Sequence, residues 1–446
     1  MPISPAREIA YDILRRVDAG RGFAVDLLQD FRVSALREQD RRLATELVMG
    51  VLRWRGELDY QIEQLSGKAM RYFDPEVKTV LRMGIYQIGF LERIPKSAAV
   101  NESVELVKAA RKRSAAGLVN AVLRKCQPPA PRVRSAESAA EPAKMALHTL
   151  PEWLRERWKQ NFGDDGLRSL AVESVSVPPT TLRVAGGTRE DVEEELRREG
   201  VCTRRGLFSN LALIVESGNV QASTAWREGH VVIQDEASQL VAALLSPQPG
   251  ERVLDLCAAP GIKTSQLAAG LGGGHLIACD LSAKRLRTMA GLVRGRIAVG
   301  VTLDLVRLDA AQQLPFACKF DRILLDGPCS GTGTLARNPE IKGRLQPKDL
   351  DRLPAIQSRM LKNALPLLAR GGRLVYATCS LEPEENEQVV EAALGTIPGY
   401  RLLTREELSS EFPAFTALFD ARGYFRTRPD LHEMDGFFAA AITCVV

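Results

Sequence analysis

The stretch Ile323–Arg337, ILLDGPCSGTGTLAR, joins an apolar run to a carboxylate, a thiol and a flexible loop. Its first three residues predict a buried strand, which ends at Asp326. A Gly-Pro turn then leads to Cys329 and to a loop rich in Ser, Gly and Thr. A strand that ends at a carboxylate and presents a thiol to a loop is a candidate site for chemistry.

A second cysteine, Cys379, follows another hydrophobic strand in Leu374–Ser380, LVYATCS. An isolated cysteine is most often a small buried hydrophobic residue. Two cysteines that each follow a strand, with Asp326 at the end of the first strand, instead indicate covalent chemistry on the ring of a nucleic-acid base.

Strands and helices alternate around both cysteines, from Gly250 onward. This alternation predicts a mostly parallel sheet with helices on both faces, in an α/β domain that spans 236–446. Residues 436–444, GFFAAAITC, are expected to add an edge strand. Ligands of such sheets bind outside the carboxyl ends of the strands, where both cysteines are predicted to lie.

The chain before this domain divides into three parts. Apolar residues recur at helical spacing in 1–126, which predicts an all-α bundle. Residues 127–147 are rich in Pro, Ala and Ser and predict a linker. Residues 148–235 predict a small α/β unit with short strands, whose function the pattern does not reveal.

The composition indicates a soluble globular protein. Of the 446 residues, 45% are hydrophobic and 26% are charged. The N-terminus, MPISPAREIAYDILRRV, resembles no signal peptide, and no run of about twenty apolar residues could span a membrane. We therefore expect a cytoplasmic protein with no membrane partner.

The eight cysteines are scattered singly, and the four histidines do not cluster in the sequence. Zinc sites usually combine closely spaced Cys and His residues, so we expect no metal. Reduced thiols in a reducing compartment fit better than a disulfide framework.

The net charge of +5 is unevenly distributed. Residues 1–125 contain 22 Lys and Arg against 16 Asp and Glu. This excess favours a polyanionic partner, although a helical domain with a solvated charged face explains it equally well.

The loop after the first strand of the α/β domain, Asp255–Thr264, has the sequence DLCAAPGIKT. Its small residues would let the backbone approach a ligand closely, but it matches neither GxGxxG nor the Walker pattern. A dinucleotide and ATP are therefore not the first choice. Asp280, at the end of the second strand, suits a ribose diol, and Asp309, after the third, suits an adenine amino group.

A single such aspartate could equally be a helix cap or a turn residue. Three successive strands that end in Asp favour a ligand instead. Ribose and adenine without a dinucleotide motif indicate S-adenosylmethionine, whose sulfonium transfers a methyl group without a metal.

A methyl donor and a thiol together predict a pyrimidine mechanism. C5 of cytosine or uracil becomes nucleophilic when a thiolate adds to C6. Asp326 could act as the acid at N3 if burial raises its pKa, and Lys263 could assist formation of the thiolate. The base would be unstacked or flipped, with the basic helix Lys284–Arg296 near its phosphates.

Several motifs together resemble the RNA cytosine-C5 methyltransferases. They are VLDLCAAPGIKTSQLA, DGPCSGTG, RNPEIK at 337–342, YATCSLEPEENE at 376–387 and MDGFF at 434–438. The N-terminal SPAREIAYDILRRV and LVNAVLRK at 118–125 resemble the NusB-like RNA-binding domain. The combination is typical of the bacterial 16S rRNA cytosine-C5 methyltransferases of the Fmu/Sun type.

The resemblance implies a Rossmann-like S-adenosylmethionine-dependent methyltransferase domain, an N-terminal all-α NusB-like domain and a small α/β middle unit that serves as an RNA-binding platform. The implied substrate is 16S rRNA, free or in a partly assembled small subunit, with cytosine-967 as the target. We expect a monomer.

The resemblance also implies residue roles. Cys379 would be the nucleophile, Cys329 would assist breakdown of the covalent adduct, and Asp326 would face the cytosine. The implied cofactor residues are Cys257, Ala258, Ala259, Pro260, Gly261, Ile262, Lys263, Asp280, Asp309 and Asp326.

Two positions depart from the family pattern. The family commonly has Gly where this chain has Ile262, and a β-branched residue there could change the path of the loop and weaken cofactor binding. The family often has Ala where this chain has Gly327, which is a small change.

Two other functions fit parts of the sequence. A DNA cytosine-C5 methyltransferase uses the cysteine that corresponds to Cys329 as nucleophile, but Cys379 and the helical N-terminal domain argue against it. A non-catalytic RNA-binding or assembly factor could keep the same fold, but the intact Cys329, Cys379, Asp326 and Lys263 argue against that.

Overall fold

The computed structural model describes residues 3–127, 136–293, 297 and 300–445, and only the backbone of 136–141. The chain forms two compact units. The first contains Met1–Val177 and Leu335–Leu345, and the second contains Pro178–Thr334 and Gln346–Val446. The segment that follows the Cys329 loop therefore belongs to the first unit, which the sequence did not predict.

The first unit is all-α, as predicted for 1–126, and it also contains the helix Glu152–Glu173, which we had assigned to the α/β unit over 148–235. Its opening helix starts with Pro5, whose fixed φ suits the first helical position, and buries Ala10, Ile13 and Leu14 in the core of the unit. The helices of the unit are Pro5–Asp18, Ala24–Leu27, Phe31–Ser34, Glu38–Arg53, Arg55–Ser66, Pro75–Phe90, Lys96–Ala109, Ala116–Lys125, Ala136–His148, Glu152–Glu173 and Ile341–Arg344.

Part of the predicted linker, 127–147, is helical. The helix Ala136–His148 occupies its second half, while residues 128–135 lie outside the described residues. The last residue of this helix packs into the unit, because Nδ1 of His148 lies 2.7 Å from Oε2 of Glu57. The linker prediction was wrong here because alanine favours helices, and tertiary contacts hold this one in place.

The segment Leu335–Leu345 is held in the first unit by its charged side chains. Oε1 of Glu340 accepts a hydrogen bond from the backbone N–H of Ala24 at 2.7 Å. Nη2 of Arg344 donates to the carbonyl oxygen of Gly22 at 2.6 Å. Between them, Nζ of Lys342 donates to the carbonyl oxygen of Arg53 at 2.8 Å.

The second unit contains two sheets. The smaller sheet is antiparallel, with strand order β2-β3-β1-β4. Its strands are β1 Thr181–Val184, β2 Cys202–Arg205, β3 Ala212–Ser217 and β4 Val231–Ile233. We did not predict β2, because its sequence, CTRR, is polar and it lies exposed at the edge of the sheet.

The larger sheet has the order β10-β12-β9-β8-β5-β6-β7, and β11 pairs with β12. From β9 to β7 all neighbours are parallel, whereas β12 runs antiparallel to β9 and β10. The strands are β5 Arg252–Asp255, β6 Gly274–Asp280, β7 Val301–Arg307, β8 Phe320–Asp326, β9 Leu368–Thr378, β10 Tyr400–Leu402, β11 Phe425–Arg426 and β12 Phe438–Cys444.

The position of β12 corrects one prediction. We expected 436–444 to form an edge strand, but β12 lies between β9 and β10 and is buried along nearly its whole length. Its apolar sequence fits this interior position, because strands covered on both faces are continuously hydrophobic.

Helices cover the sheets of the second unit, and apolar clusters fill the space between them. They are Arg189–Arg198, Thr224–Arg227, Glu236–Leu245, Ile262–Leu271, Ala283–Val293, Asp349–Ala364, Glu387–Leu394, Arg405–Glu411 and Pro429–His432. Among the described helices of the whole chain, none is long and apolar enough to cross a bilayer.

Candidate active site

The two thiols predicted to act together lie side by side. β8 and β9 are adjacent parallel strands, with Asp326 paired to Ala377, so their carboxyl ends meet at the same edge of the sheet. The loops that leave these ends carry Cys329 and Cys379, and their Sγ atoms are 3.4 Å apart. The reading of each cysteine as an isolated buried hydrophobic residue does not fit this pairing.

The loops that carry the thiols are bonded to each other. The backbone N–H of Gly333 donates to the carbonyl oxygen of Cys379 at 2.9 Å, and the N–H of Leu381 donates to Oγ1 of Thr332 at 2.9 Å. The N–H of Gly436 also donates to the carbonyl oxygen of Gly333 at 2.8 Å. These bonds hold the two loops as one structure.

The environment of Cys329 keeps its sulfur protonated. Its hydrogen bond with Cys379 and its burial raise the pKa of the Cys329 thiol well above the usual value. Either sulfur of the pair can donate this hydrogen bond, and the raised pKa favours the neutral thiol form of Cys329. A sulfur that accepts a hydrogen bond can carry negative charge more easily than one that donates.

A lysine and a carboxylate form the charged part of the site. Nζ of Lys263 lies 2.8 Å from Oδ2 of Asp326 and 5.1 Å from the centre of the Phe437 ring. Burial acts to lower the pKa of Lys263, but the charges of Asp326, and more weakly of Cys379, raise it above its usual value. Lys263 is thus a cation that interacts with both.

The predicted cofactor loop turns sharply before a helix. Gly261 has φ of 100°, and a Cβ there would lie 2.7 Å from Cγ of Met289, so only glycine fits. Ala258 and Ala259 are buried, and Pro260 follows Ala259 in the turn. Ile262 is the first residue of the helix Ile262–Leu271, where an ordinary helical backbone accommodates a β-branched side chain.

Two residues at and just after the end of β5, Asp255 and Cys257, are protonated more readily than usual. Burial raises the pKa of Asp255 to about 7, although Thr264 donates a hydrogen bond to its Oδ2 at 2.7 Å. Burial and the nearby carboxylates raise the pKa of Cys257 above the usual range. The neutral thiol form of Cys257 is therefore favoured.

Asp280 and Asp309 lie after the next two strands. Asp280, at the end of β6, is buried and accepts hydrogen bonds from the N–H of Ser282 at 2.8 Å and from Nη1 of Arg285 at 3.1 Å. Asp309 lies two residues past β7, and its Oδ1 accepts from the N–H of Ala311 at 2.9 Å. Both carboxylates are partly engaged in turns, as the alternative interpretation of such residues expected.

The basic helix that we predicted over 284–296 is described as Ala283–Val293, so Arg294 and Arg296 lie outside the described residues. Lys284 and Arg287 are exposed on this helix. Arg285 differs from them, because it pairs with Asp280 and donates to the carbonyl oxygen of Ala259.

One residue of the site was missed by sequence reasoning. Glu385 is fully buried on the turn Pro383–Glu385, and its carboxylate binds both cysteine loops through Ser330 and Ser380. In the acidic run EPEENE a single glutamate looks like part of a solvated surface. The one available signal was its place just after the Cys379 motif.

Comparisons with known families cover most of the chain. The model of the 16S rRNA methyltransferase RsmB/F family matches residues 242–443, and that of the NusB family matches 4–128. The ferredoxin-like domain of RsmF/B-like methyltransferases matches 150–221. The predicted NusB-like domain and Rossmann-like methyltransferase domain are thereby confirmed.

Solved structures share the fold. A methyltransferase homolog from Pyrococcus horikoshii has a TM-score of 0.57 and 29% identity, over 68% of this chain and 98% of that chain. NSun6 from the same organism, in a complex with SFG, has a TM-score of 0.59 and 23% identity, over 67% of this chain and 100% of that chain.

Curated relatives are similar over almost the whole length. A Synechocystis protein named probable ribosomal RNA small subunit methyltransferase B is 33% identical, over 98% of both chains. The ribosomal RNA small subunit methyltransferase B of Pseudomonas putida is 36% identical, over 82% of this chain and 84% of its own. The chain therefore belongs to the 16S rRNA methyltransferase RsmB/F family, as an RsmB-like methyltransferase of the Fmu/Sun type.

Proposed function

We propose that this protein transfers a methyl group from S-adenosylmethionine to C5 of a cytosine in 16S rRNA, through a covalent bond between Cys379 and C6. Family membership supports the rRNA substrate, and the predicted target is cytosine-967. The substrate would be free rRNA or a partly assembled small subunit.

The observation that carries the proposal is the pair of sulfurs 3.4 Å apart at the ends of β8 and β9. The raised pKa of Cys329 favours its thiol form, and the family resemblance assigns the attack to Cys379. The positive charge of Lys263 interacts with the Cys379 thiolate and stabilises it. Nucleophilic attack on C6 then divides one difficult methylation into easier steps.

Attack at C6 moves electron density into the ring, toward N3 and C5. In the proposed reaction the Asp326 carboxylate, oriented by Lys263 at 2.8 Å, takes up the proton that Cys379 loses and passes it to N3. C5 can then form a bond to the methyl carbon. A base must next remove the proton from C5 so that the bond between C6 and the Cys379 sulfur can break.

In the proposed reaction Cys329 assists this last step. Its sulfur is within hydrogen-bond reach of the sulfur that must leave C6, so its proton can stabilise the departing thiolate.

The methyl group would come from S-adenosylmethionine, and this chain has suitable groups to hold it. The cofactor loop places buried small residues and a positive-φ glycine beside the end of β5, where a Cβ would not fit. The Asp280 and Asp309 carboxylates are acceptors of the kind that bind hydroxyl and amino groups of adenosine. The effect of Ile262 on affinity remains a prediction.

Two cysteine variants test the assignment. Cys379→Ala should abolish transfer of tritiated methyl groups to 16S rRNA. Cys329→Ala should instead accumulate a protein–RNA adduct that survives a denaturing gel. Cys318→Ala, which alters an exposed cysteine, is the matched control and should keep full activity.

Other outcomes would contradict the proposal. Full activity of Cys379→Ala would show that the roles of the cysteines are wrong. Methyl incorporation into DNA rather than RNA would favour the DNA methyltransferase, and no heat of S-adenosylmethionine binding in calorimetry would favour the non-catalytic factor. Bisulfite sequencing of rRNA from cells that lack the gene would identify the modified nucleotide.

A further inference from the structure

A single buried carboxylate is bonded to both cysteine loops. Oε1 of Glu385 accepts a hydrogen bond from the N–H of Ser330 at 2.9 Å, and its Oε2 accepts from the Ser330 hydroxyl. The hydroxyl of Ser380 donates to the same Oε2 at 2.5 Å. Ser330 directly follows Cys329, and Ser380 directly follows Cys379.

Further contacts fix this carboxylate in place. Nε2 of Gln357 donates to Oε1 of Glu385 at 3.0 Å and to the carbonyl oxygen of Pro328 at 2.9 Å. Oη of Tyr376, within β9, donates to the backbone carbonyl of Glu385 at 2.5 Å. The carboxylate of Glu385 is thus bonded to both loops and to the helix Asp349–Ala364, and its backbone carbonyl is bonded to β9.

The partners of the carboxylate are neutral groups. Burial raises the pKa of Glu385, and the hydrogen bonds from Ser330, Ser380 and Gln357 act against this rise. Burial of a carboxylate without a cationic partner is costly. Apolar residues in place of Glu385 and its polar partners would stabilise the fold as well. The buried carboxylate therefore needs an explanation other than stability.

We propose that Glu385 is a positioning residue that sets the distance between the two thiols, by holding the residue after each cysteine on one buried carboxylate. This inference deepens the proposed function and rests on it for its catalytic consequence. Each loop leaves a different strand, and the bonds that join the loops through Thr332 and Gly333 lie further along the chain from Cys329. Glu385 instead binds the residue next to each cysteine.

The required accuracy explains why such an anchor matters. Groups that react together must be held within about 0.5 Å of the productive geometry. A displacement of about 1 Å can cost about 100-fold in rate. In the proposed reaction both sulfurs act at the same ring carbon, so their relative position must be held this accurately.

The distance between the thiols can be measured without RNA or cofactor. Oxidised glutathione and the two thiols give one Cys329–Cys379 disulfide and two molecules of reduced glutathione. The equilibrium constant of this exchange is the effective concentration of one thiol at the other. Alkylation and peptide mass mapping separate this disulfide from those of the exposed Cys202 and Cys318.

We expect Glu385→Ala to lower the effective concentration at least about tenfold. The effective concentration in Glu385→Gln should stay within about threefold of the wild-type value. The glutamine amide can donate to the serine hydroxyls, which can rotate so that their oxygens accept. Glu391→Gln, which alters an exposed glutamate of the helix Glu387–Leu394, is the matched control and should leave it unchanged.

Methylation kinetics provide the second readout. Glu385→Ala should lower kcat about 10- to 100-fold and leave the KM for S-adenosylmethionine within about twofold, because the cofactor loop follows β5. Glu385→Gln should restore most of kcat. A loss confined to KM would contradict a positioning role.

If Glu385→Ala does not fold, the double variant Ser330→Ala/Ser380→Ala removes the same attachments and is expected to lower the effective concentration at least about threefold. An unchanged effective concentration in whichever variant folds would overturn the proposal. Because the exchange needs no substrate, failure of the methyltransferase proposal would leave this result intact.

Discussion

Lys342 leads to a prediction about stability that depends on pH. Its amine is buried in the first unit and donates to the carbonyl oxygen of Arg53 at 2.8 Å and to Oγ1 of Thr149 at 3.2 Å. Burial, and more weakly the charge of Arg53, lower the pKa of Lys342 from 10.5 to about 7. The perturbation is Lys342→Met, which keeps the length of the side chain and removes the titrating group.

The direction of the pH dependence follows from the number of protons that the folded and unfolded chains bind. Between pH 7 and 10.5 the unfolded chain holds this proton and the folded chain does not, so the free energy of unfolding rises with pH. The slope approaches about 1.4 kcal/mol per pH unit. Integrated from pH 7 to pH 8.5, the wild type should gain about 1.6 kcal/mol relative to Lys342→Met.

Tryptophan emission can report the first unit alone. Of the four tryptophans, Trp54, Trp153 and Trp158 belong to the first unit and Trp226 belongs to the second. Urea unfolding at pH 7 and 8.5 in a Trp226→Phe background therefore follows the unit that contains Lys342. Comparison of slopes with pH cancels the other titrating groups, which both proteins share.

The matched control is Lys68→Met, because Lys68 is an exposed lysine of the same unit. Its stability should follow the wild type at both values of pH. Parallel curves for Lys342→Met and the wild type would refute the reasoning, because they would mean that the folded amine keeps an ordinary pKa.

Three further predictions concern the second unit. Gly333→Ala should lower both stability and methylation, because its Cβ would lie 2.1 Å from the carbonyl oxygen of Gly436. Gly327→Ala should be tolerated, because its Cβ would meet only Cγ of Gln357, at 3.8 Å. Equal melting temperatures of the two variants would contradict this prediction. Burial raises the pKa of Asp255 from 3.8 to about 7, so the wild type should lose stability relative to Asp255→Asn as the pH rises from about 4 to 7. Urea unfolding at both values of pH measures this change. A difference in unfolding free energy that stays constant with pH would exclude it. Lys263→Met should lower the rate of methyl transfer at least about tenfold, because it removes the cation beside Cys379 and Asp326. A rate within twofold of the wild type would rule out this role of Lys263.

The sequence was most informative where local pattern and burial agree. β5, β6, β8 and β9 are apolar strands of a parallel sheet, so their runs of Val, Leu and Ile stand out from the surrounding helices. Because parallel strands bring their carboxyl ends together, Cys329 and Cys379 could be predicted to meet although fifty positions separate them.

Features decided by distant contacts could not be predicted in the same way. Glu385 and Lys342 are charged residues in polar stretches of the sequence, and only the folded structure shows that both are buried. β2 is short and polar, and its pairing with β3 supplies the hydrogen bonds that its sequence does not signal. The neighbours of β12 likewise depend on β10, a three-residue strand with no strong pattern.

The membership of Leu335–Leu345 in the first unit has a consequence for modular evolution. The backbone crosses between the units three times, after Val177, after Thr334 and after Leu345. A single recombination breakpoint at 177 would therefore yield a helical module that lacks one of its own pieces, including Lys342. Exchange of this module between homologues requires that the eleven-residue insert travel with it, so the two genetic segments are expected to be inherited together.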